Sequence, residues 1–164
     1  MSRLAGQTID WATVAARWLL GALFVYLGVQ KGLDPVSFLK LVRQYDMVHT
    51  PFLLNSIAAA LPWFEVACGL LLLAGIAVRG AALTVTGILI PFTAVVWHRA
   101  LVLQAERGVP FCAVKFDCGC GAGEVFICHK LLENAGLIFL ALWLLAGRGR
   151  RLALRYSLAA GNES

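Results

Sequence analysis

The chain has 164 residues, of which 60% are hydrophobic and only 14% are charged, whereas an average soluble domain carries about 25% charged residues. A soluble domain of this size buries only about 70% of the surface that its unfolded chain exposes, so this composition excludes an ordinary soluble fold. The net charge of +5 comes from basic residues that lie between apolar segments and near the C-terminus. That arrangement is typical of contacts with anionic membrane lipid and does not indicate a nucleic-acid partner.

Four apolar stretches are long enough to cross the hydrocarbon core of a bilayer, which takes about 20 helical residues. They cover residues 11–30, 56–78, 81–103 and 130–146. We predict an all-α fold, an integral membrane four-helix bundle that forms a single domain over residues 1–164 and ends in a basic tail, 147–164. The first stretch is too long for the core of a signal peptide, and we expect it to be retained.

The segment between the first two stretches, residues 31–55, is predicted to contain a short amphipathic helix. Asp34 followed by Pro35 is typical of a helix start, with proline at the first helical position. One face of this helix would then carry Phe38, Leu39, Val42 and Tyr45. Such a helix either lies in the membrane interface or packs as a lid over the bundle, and the two arrangements are compatible.

Basic residues predict the orientation of the bundle. Arg79 lies in the tight turn between the second and third stretches, and the tail carries four arginines: Arg148, Arg150, Arg151 and Arg155. The positive-inside rule places both groups of basic residues in the cytoplasm. Because the chain crosses the membrane four times, the N-terminus then lies in the cytoplasm as well. The two longer connections, 31–55 and 104–129, then face outward. Residues 104–129 contain four of the five cysteines and are called the cysteine loop below.

Small and polar residues at helical spacing mark the faces expected to point into the bundle. The predicted faces are, in chain order, Arg17, Gly21, Phe24, Gly28 and Lys31; Pro62, Glu65, Gly69 and Leu72; Thr84, Gly87, Pro91, Ala94 and His98; and Lys130, Glu133 and Gly136, with Asn134 alongside. Lys31, His98, Glu133 and Asn134 would lie near the outer mouth, and together with Arg17 they would form a polar network in the bundle.

Glu65 is expected near the middle of the membrane, where a charge costs on the order of 3 kcal/mol or more. It must therefore be paired or protonated, and we predict Arg17 as its partner because a long side chain can cover the axial offset. One interpretation is a structural ion pair or a neutral glutamic acid bonded across helices. The functional interpretation is an acid that contacts a proton or a quinone headgroup.

The cysteine loop contains Cys112, Cys118, Cys120 and Cys128. A disulfide across the single residue between Cys118 and Cys120 closes a small strained ring, and strain makes a disulfide easier to reduce. Three interpretations remain open: a redox-active Cys118–Cys120 pair with Cys112 and Cys128 as a second pair or as resolving thiols, a structural staple that bonds the central to the outer cysteines, and a zinc or iron–sulfur site. The spacing matches none of the usual zinc patterns, so we predict no metal. The fifth cysteine, Cys68, is expected to be an inert buried thiol.

The chain resembles the MauE branch of the DoxX-like membrane proteins over about residues 15 to 145. The resemblance depends on the order and spacing of Gly21, Phe24, Gly28, Lys31-Gly32-Leu33-Asp34-Pro35, Phe38, Tyr45, Leu61-Pro62-Trp63, Glu65, Gly69, Gly75, Arg79, Phe92, Arg107-Gly108 and Cys118-Gly119-Cys120. It implies four transmembrane helices in a bacterial cytoplasmic membrane, a redox pair at Cys118 and Cys120, and an intramembrane acid at Glu65. Members of this family usually have the sequence Cys-Gly-Cys-Phe-Gly at the cysteine pair, whereas in this chain Gly121 follows Cys120 directly.

MauE-type proteins are linked to the maturation of methylamine dehydrogenase, whose small subunit is rich in disulfides, beside a thioredoxin-like partner. Other DoxX relatives include a subunit of a thiosulfate:quinone oxidoreductase. The resemblance and the residues together predict a thiol–disulfide relay. It would exchange with a periplasmic thioredoxin-like protein or a disulfide-containing substrate and pass electrons to a carrier such as a quinone. The alternatives are a non-enzymatic assembly factor with structural disulfides, and a small-solute transporter in which Glu65 and Arg17 bind the cargo.

Overall fold

The computed structural model describes residues 2–45, 50–118 and 123–147. Cys120 and the arginines predicted for the cytoplasmic tail lie outside these residues. The elements in chain order are the helices α1 (Ser2–Leu33), α2 (Pro35–Gln44), α3 (Pro51–Ala74) and α4 (Val78–Arg107), a 3-10 turn (Phe111–Ala113), the strands β1 (Lys115–Asp117) and β2 (Glu124–Phe126), and helix α5 (Ile127–Ala146).

Four helices in the described part of the chain are long and apolar enough to cross a membrane. Their apolar spans are Asp10–Leu33, Pro51–Ala74, Val78–Arg107 and Ile127–Ala146. The predicted all-α architecture with four spans is confirmed. The helices extend beyond the apolar stretches, since α3 begins at Pro51 rather than at residue 56 and α4 continues to Arg107. Proline at the first turn of α3 needs no N–H partner, which explains the early start.

The short helix α2 begins where the sequence predicts. The Asp34 side chain accepts a 3.0 Å hydrogen bond from the N–H of Ser37, and Pro35 occupies the first turn. Hydrogen bonds from the hydroxyl and the N–H of Ser37 lower the pKa of Asp34. Phe38 on the apolar face is buried, and α2 contacts both α1 and α3. The helix therefore packs as a lid over one end of the bundle.

Helices α1 and α3 form the closest pair in the bundle, at glycines that the sequence predicts to face inward. A Cβ atom added to Gly21 would lie 2.8 Å from the carbonyl oxygen of Gly69, and one added to Gly28 would lie 2.7 Å from that of Pro62. Small residues at such crossings allow backbone approach and dense van der Waals packing, which is what holds helices together in lipid.

The prediction of which face of α4 is buried is wrong. Thr84, Gly87, Pro91, Ala94 and His98 are all exposed in the structure. The buried face carries instead Val78, Ala81, Ala82, Val85, Thr86, Leu89, Val96, Ala100 and Leu103. In a membrane protein the lipid and the core are both apolar, so the distribution of apolar residues around α4 does not determine which face packs against the other helices.

Two apolar clusters stabilise the fold. The larger one joins all four long helices and includes the fully buried Leu20, Leu72, Val85 and Leu144. The smaller one lies beneath the cysteine loop, where Val96 and Ala100 of α4 pack with residues of the loop and of α5. The turn from α3 to α4 is short because Gly75 adopts a left-handed conformation with φ of 70°, which glycine accepts without steric cost.

Candidate functional site

A cavity of about 310 Å³ lies between the helices beneath α2. Its walls are mostly apolar side chains from α1 to α5. Six of the lining residues carry polar or ionisable groups, or sulfur: Lys31, Tyr45, Glu65, Cys118, Lys130 and Asn134. An apolar cavity with a few convergent polar groups is the usual form of a small-molecule site. The cavity therefore joins the predicted intramembrane acid and one predicted redox cysteine in a single site.

Glu65 forms an ion pair with Lys31. The Lys31 Nζ donates to both carboxylate oxygens of Glu65, at 2.6 Å and 2.8 Å, and both side chains are less than a tenth exposed. The prediction that Arg17 is the partner is wrong. Because Gly28 contacts Pro62, the last turns of α1 lie beside the segment of α3 that carries Glu65, whereas Arg17 lies about 16 Å from Gly28 along α1.

The Lys31–Glu65 pair is covered by the lid. The Lys31 Nζ lies 5.6 Å from the centre of the Phe38 ring of α2, a distance at which an aromatic face attracts a cation. Arg17 is buried, but it does not line the cavity. The two residues predicted together as an ion pair therefore occupy separate parts of the bundle.

Helix α5 contributes a second lysine and an amide. Lys130 is 3% exposed and its Nζ lies 3.1 Å from an oxygen of Glu133, whose side chain is 41% exposed and does not line the cavity. The Asn134 amide donates a 3.1 Å hydrogen bond to the hydroxyl of Thr93 on α4. Of the predicted polar network, the structure brings Lys31 and Asn134 to the cavity, and it leaves Arg17, His98 and Glu133 outside.

Lys130 and Tyr45 also line the cavity. The sequence placed Lys130 on an inward face and Tyr45 on the apolar face of the short helix, but it indicated no functional role for either. For Lys130 a signal was available, because it lies four residues before Asn134 and so on the same helical face. For Tyr45 the sequence predicted the position on the apolar face of the short helix. Its hydroxyl partner is a backbone carbonyl far away in sequence, which no local pattern reveals.

The described part of the cysteine loop contains a short antiparallel hairpin and a disulfide. Lys115 pairs with Phe126 and Asp117 with Glu124 in the register of β1 and β2. Cys112 is bonded to Cys128, with 5.0 Å between their Cα atoms. This pairing corresponds to the arrangement in which the outer cysteines form a second pair, and it differs from a staple that bonds central to outer cysteines. It also leaves these two sulfurs without the thiolate form that a metal would need.

Cys118 is disulfide-bonded and only 1% exposed. It follows directly after β1 and lines the cavity, so the hairpin places a redox-capable residue against the bundle interior. The other cysteine of the predicted redox pair, Cys120, lies outside the described residues. Cys68 on α3 is a free, buried thiol.

A hydrogen bond connects the lid to Cys118. The Tyr45 hydroxyl donates to the backbone carbonyl of Cys118 at 2.7 Å. Burial raises the pKa of Tyr45, and the negative charge of Asp117 raises it further, while Arg99 acts in the opposite direction. Tyr45 therefore keeps the proton that it donates, and α2 and the cysteine loop are joined above the cavity.

The sequence was also compared with known proteins. Residues 9–147 match the protein family described as methylamine utilisation protein MauE. Neither the curated proteins nor the solved structures gave a match. The matched segment contains all four apolar spans, the cavity and the cysteine loop. On this match, the chain belongs to the MauE family of methylamine utilisation proteins.

Proposed function

We propose that this protein is a thiol–disulfide oxidoreductase of the bacterial cytoplasmic membrane, in which a Cys118–Cys120 disulfide oxidises a soluble partner and passes the electrons to a quinone. The observation that carries the proposal is the position of Cys118, a disulfide-bonded cysteine that lines a cavity inside the bundle. A sulfur in that position can exchange electrons with a molecule held among the helices.

The pairing of Cys118 with Cys120 is supported by elimination within the chain. Cys112 and Cys128 are bonded to each other, and Cys68 is a free thiol. Cys120 is then the only other cysteine in the sequence to which Cys118 can be bonded intramolecularly. The small ring closed across Gly119 suits a bond that opens and closes during turnover.

The burial of Cys118 suggests different roles for the two sulfurs. A thiolate of the partner attacks the sulfur of Cys120, breaks the Cys118–Cys120 bond and forms a mixed disulfide, with Cys118 leaving as the thiolate. The second thiol of the partner then attacks the mixed disulfide, which releases the oxidised partner and the Cys120 thiol. Two electrons and two protons now reside on the dithiol. Their transfer to a quinone reforms the Cys118–Cys120 bond and yields a hydroquinone.

The partner class follows from the family and the compartment. A periplasmic thioredoxin-like protein, or a disulfide-rich substrate such as the small subunit of methylamine dehydrogenase, would supply the thiols. This requires the cysteine loop on the outer side of the membrane and both termini in the cytoplasm. The basic Arg79, in the first turn of α4 next to the short connection from α3, supports that orientation by the positive-inside rule.

The test uses the purified full-length protein in lipid nanodiscs, with reduced thioredoxin as the dithiol probe and a short-chain ubiquinone as the acceptor. We expect thioredoxin-dependent formation of hydroquinone by the wild-type protein and by Cys68→Ser, the matched control with an unrelated thiol removed. Cys118→Ser and Cys120→Ser should each abolish it. Full activity in either of these two variants would rule out the proposed relay.

A second candidate function is a non-enzymatic assembly factor. It is favoured by the Cys112–Cys128 disulfide and the β1–β2 hairpin, which give the described part of the cysteine loop a fixed surface on which a partner could dock. The two functions differ in a cell that lacks the wild-type gene. If a variant with both Cys118 and Cys120 replaced by serine still matures methylamine dehydrogenase at the normal rate, the assembly factor is correct.

A further inference from the structure

We infer that the cavity is the binding site of the quinone, and that the quinone enters it sideways from the bilayer through a mouth on α4 at Gly87 and Pro91. This inference rests on the proposed function and adds to it the ligand's location and route. Among the residues that line the cavity, Gly87 and Pro91 are the two that are exposed, and the others are buried or half-buried. Both lie on α4 one turn apart, so the cavity reaches the protein surface there.

The mouth faces lipid. Gly87 lies about 14 Å from Val78, the first residue of α4, at the rise of an α-helix. That distance places it well inside the apolar span Val78–Arg107. The exposed neighbours Leu83 and Ile90 are apolar. A ligand that uses this mouth must be soluble in hydrocarbon, which excludes an ionic solute arriving from water.

The sequence of α4 keeps the mouth open. Gly87 has no side chain, and a Cβ atom added there would meet no atom within 4 Å. Pro91 has no N–H, so α4 offers no helical hydrogen bond from residue 91 to the carbonyl of Gly87. The exposed small residues that were predicted to pack inside the bundle thus have a different role, because they border an opening.

The interior of the cavity matches the chemistry of a quinone. Its walls are apolar, and its volume of about 310 Å³ lies at the small end of ligand sites, which run from about 300 to 1,000 Å³. Among the ionisable side chains that line it, the charge of Lys31 is offset by Glu65, whereas the counter-ion of Lys130 lies outside the cavity wall. Both lysines are therefore charge-compensated, Lys31 within the lining and Lys130 by a partner outside it. The Lys130 ammonium group has three N–H donors, of which the bond to Glu133 uses one.

A quinone headgroup has two carbonyl acceptors on an apolar ring, and it gains negative charge as it is reduced. The ammonium group of Lys130 can donate to such a carbonyl and stabilise that charge. Cys118 lines the same cavity, so the residue that carries the electrons lies beside the bound ring. A phospholipid acyl chain could pass the same mouth, but it has no acceptor for Lys130 and accepts no electrons.

The test narrows the mouth without disturbing the helix packing. Gly87→Phe places a large side chain at the opening, and Gly136→Phe is the matched control. Gly136 is also an exposed helical glycine with no atom within 4 Å of an added Cβ, but it does not line the cavity. For each variant, the KM for short-chain ubiquinone is measured separately from the rate at which reduced thioredoxin opens the Cys118–Cys120 disulfide.

We expect Gly87→Phe to raise the KM for the quinone at least tenfold and to leave disulfide opening by thioredoxin at the wild-type rate, while Gly136→Phe changes neither. A smaller increase for Gly87→Ala would show that the effect depends on size. If Gly87→Phe leaves the KM for the quinone unchanged, as expected for Gly136→Phe, the entry route at Gly87 and Pro91 is wrong. The proposed thiol–disulfide relay is not affected by that outcome. If the wild-type protein accepts electrons from thioredoxin and reduces no quinone, the ligand assignment fails together with the quinone part of the proposed function.

Lys130 provides an independent measurement on the same site. Lys130→Gln should slow quinone reduction at least tenfold and leave disulfide opening unchanged, whereas Lys115→Gln, which removes an exposed lysine outside the cavity, should change neither. Equal quinone kinetics in the two lysine variants would contradict the role given to Lys130.

Discussion

Lys31 and Glu65 form a bidentate ion pair inside the bundle, with Nζ 2.6 Å and 2.8 Å from the two carboxylate oxygens and with both side chains shielded from solvent. The pair joins the end of α1 to α3 and lies in the wall of the cavity. Each charge is tolerated there because the other neutralises it. Removal of either charge alone would therefore leave the other charge buried without its partner.

Replacing one partner should be more damaging than replacing both. Glu65→Gln leaves the Lys31 ammonium buried without its counter-charge, and we expect a loss of about 3–5 kcal/mol of unfolding free energy, the usual effect of breaking a buried pair. The double variant Lys31→Met, Glu65→Leu should recover most of that loss. Thermal unfolding in detergent compares the three proteins, with the exposed Glu106→Gln as control. Equal melting temperatures for Glu65→Gln and the wild-type protein would contradict this account.

Tyr45 should resist ionisation. Its pKa is raised above the ordinary value of 10.0, chiefly by burial, so the hydrogen bond to the Cys118 carbonyl is present below pH 10 and is lost only as the pH rises through the higher folded value. The check is the tyrosinate absorbance of the wild-type protein minus that of Tyr45→Phe during an alkaline titration. We expect no difference signal at pH 10, where an ordinary tyrosine is half ionised. A midpoint near 10 would show that Tyr45 is hydrated.

The Cys112–Cys128 disulfide should contribute to stability, and its removal should leave the proposed thiol–disulfide relay intact. The bond closes a loop with a sequence separation of 16, which corresponds to about 3 kcal/mol in the chain-entropy description. A double replacement by serine should lower the melting temperature while thioredoxin still opens the Cys118–Cys120 disulfide at a similar rate. If exchange is lost and the melting temperature is unchanged, the outer cysteines belong to the relay.

The orientation can be measured with a membrane-impermeant maleimide on intact cells. We expect the cysteine loop to be protected at first and to label from outside after mild reduction, through Cys120 rather than the buried Cys118, because the proposed disulfide is labile and faces the periplasm. Cys68, which is buried in α3, should stay unlabelled and serves as the internal control. Labelling only after lysis would place the cysteine loop in the cytoplasm, and a need for harsh reduction would favour a structural disulfide.

The sequence predicted the features that depend on neighbouring residues. The four spans follow from the length of the apolar stretches, and the start of α2 follows from Asp34 and Pro35. The need of Glu65 for a partner follows from the cost of burying a charge in lipid. The inward glycines of α1 and α3 were found because small residues repeat at helical spacing. Each of these conclusions needs only local composition, helical period or the solvent.

Tertiary structure alone decided which groups meet across the bundle. It paired Glu65 with Lys31 instead of Arg17, bonded Cys112 to Cys128, and turned Gly87 and Pro91 outward to border the cavity. These outcomes depend on the rotation and axial register of whole helices. Sequence periodicity does not determine them in a membrane protein, because the faces that touch lipid and the faces that touch other helices are equally apolar.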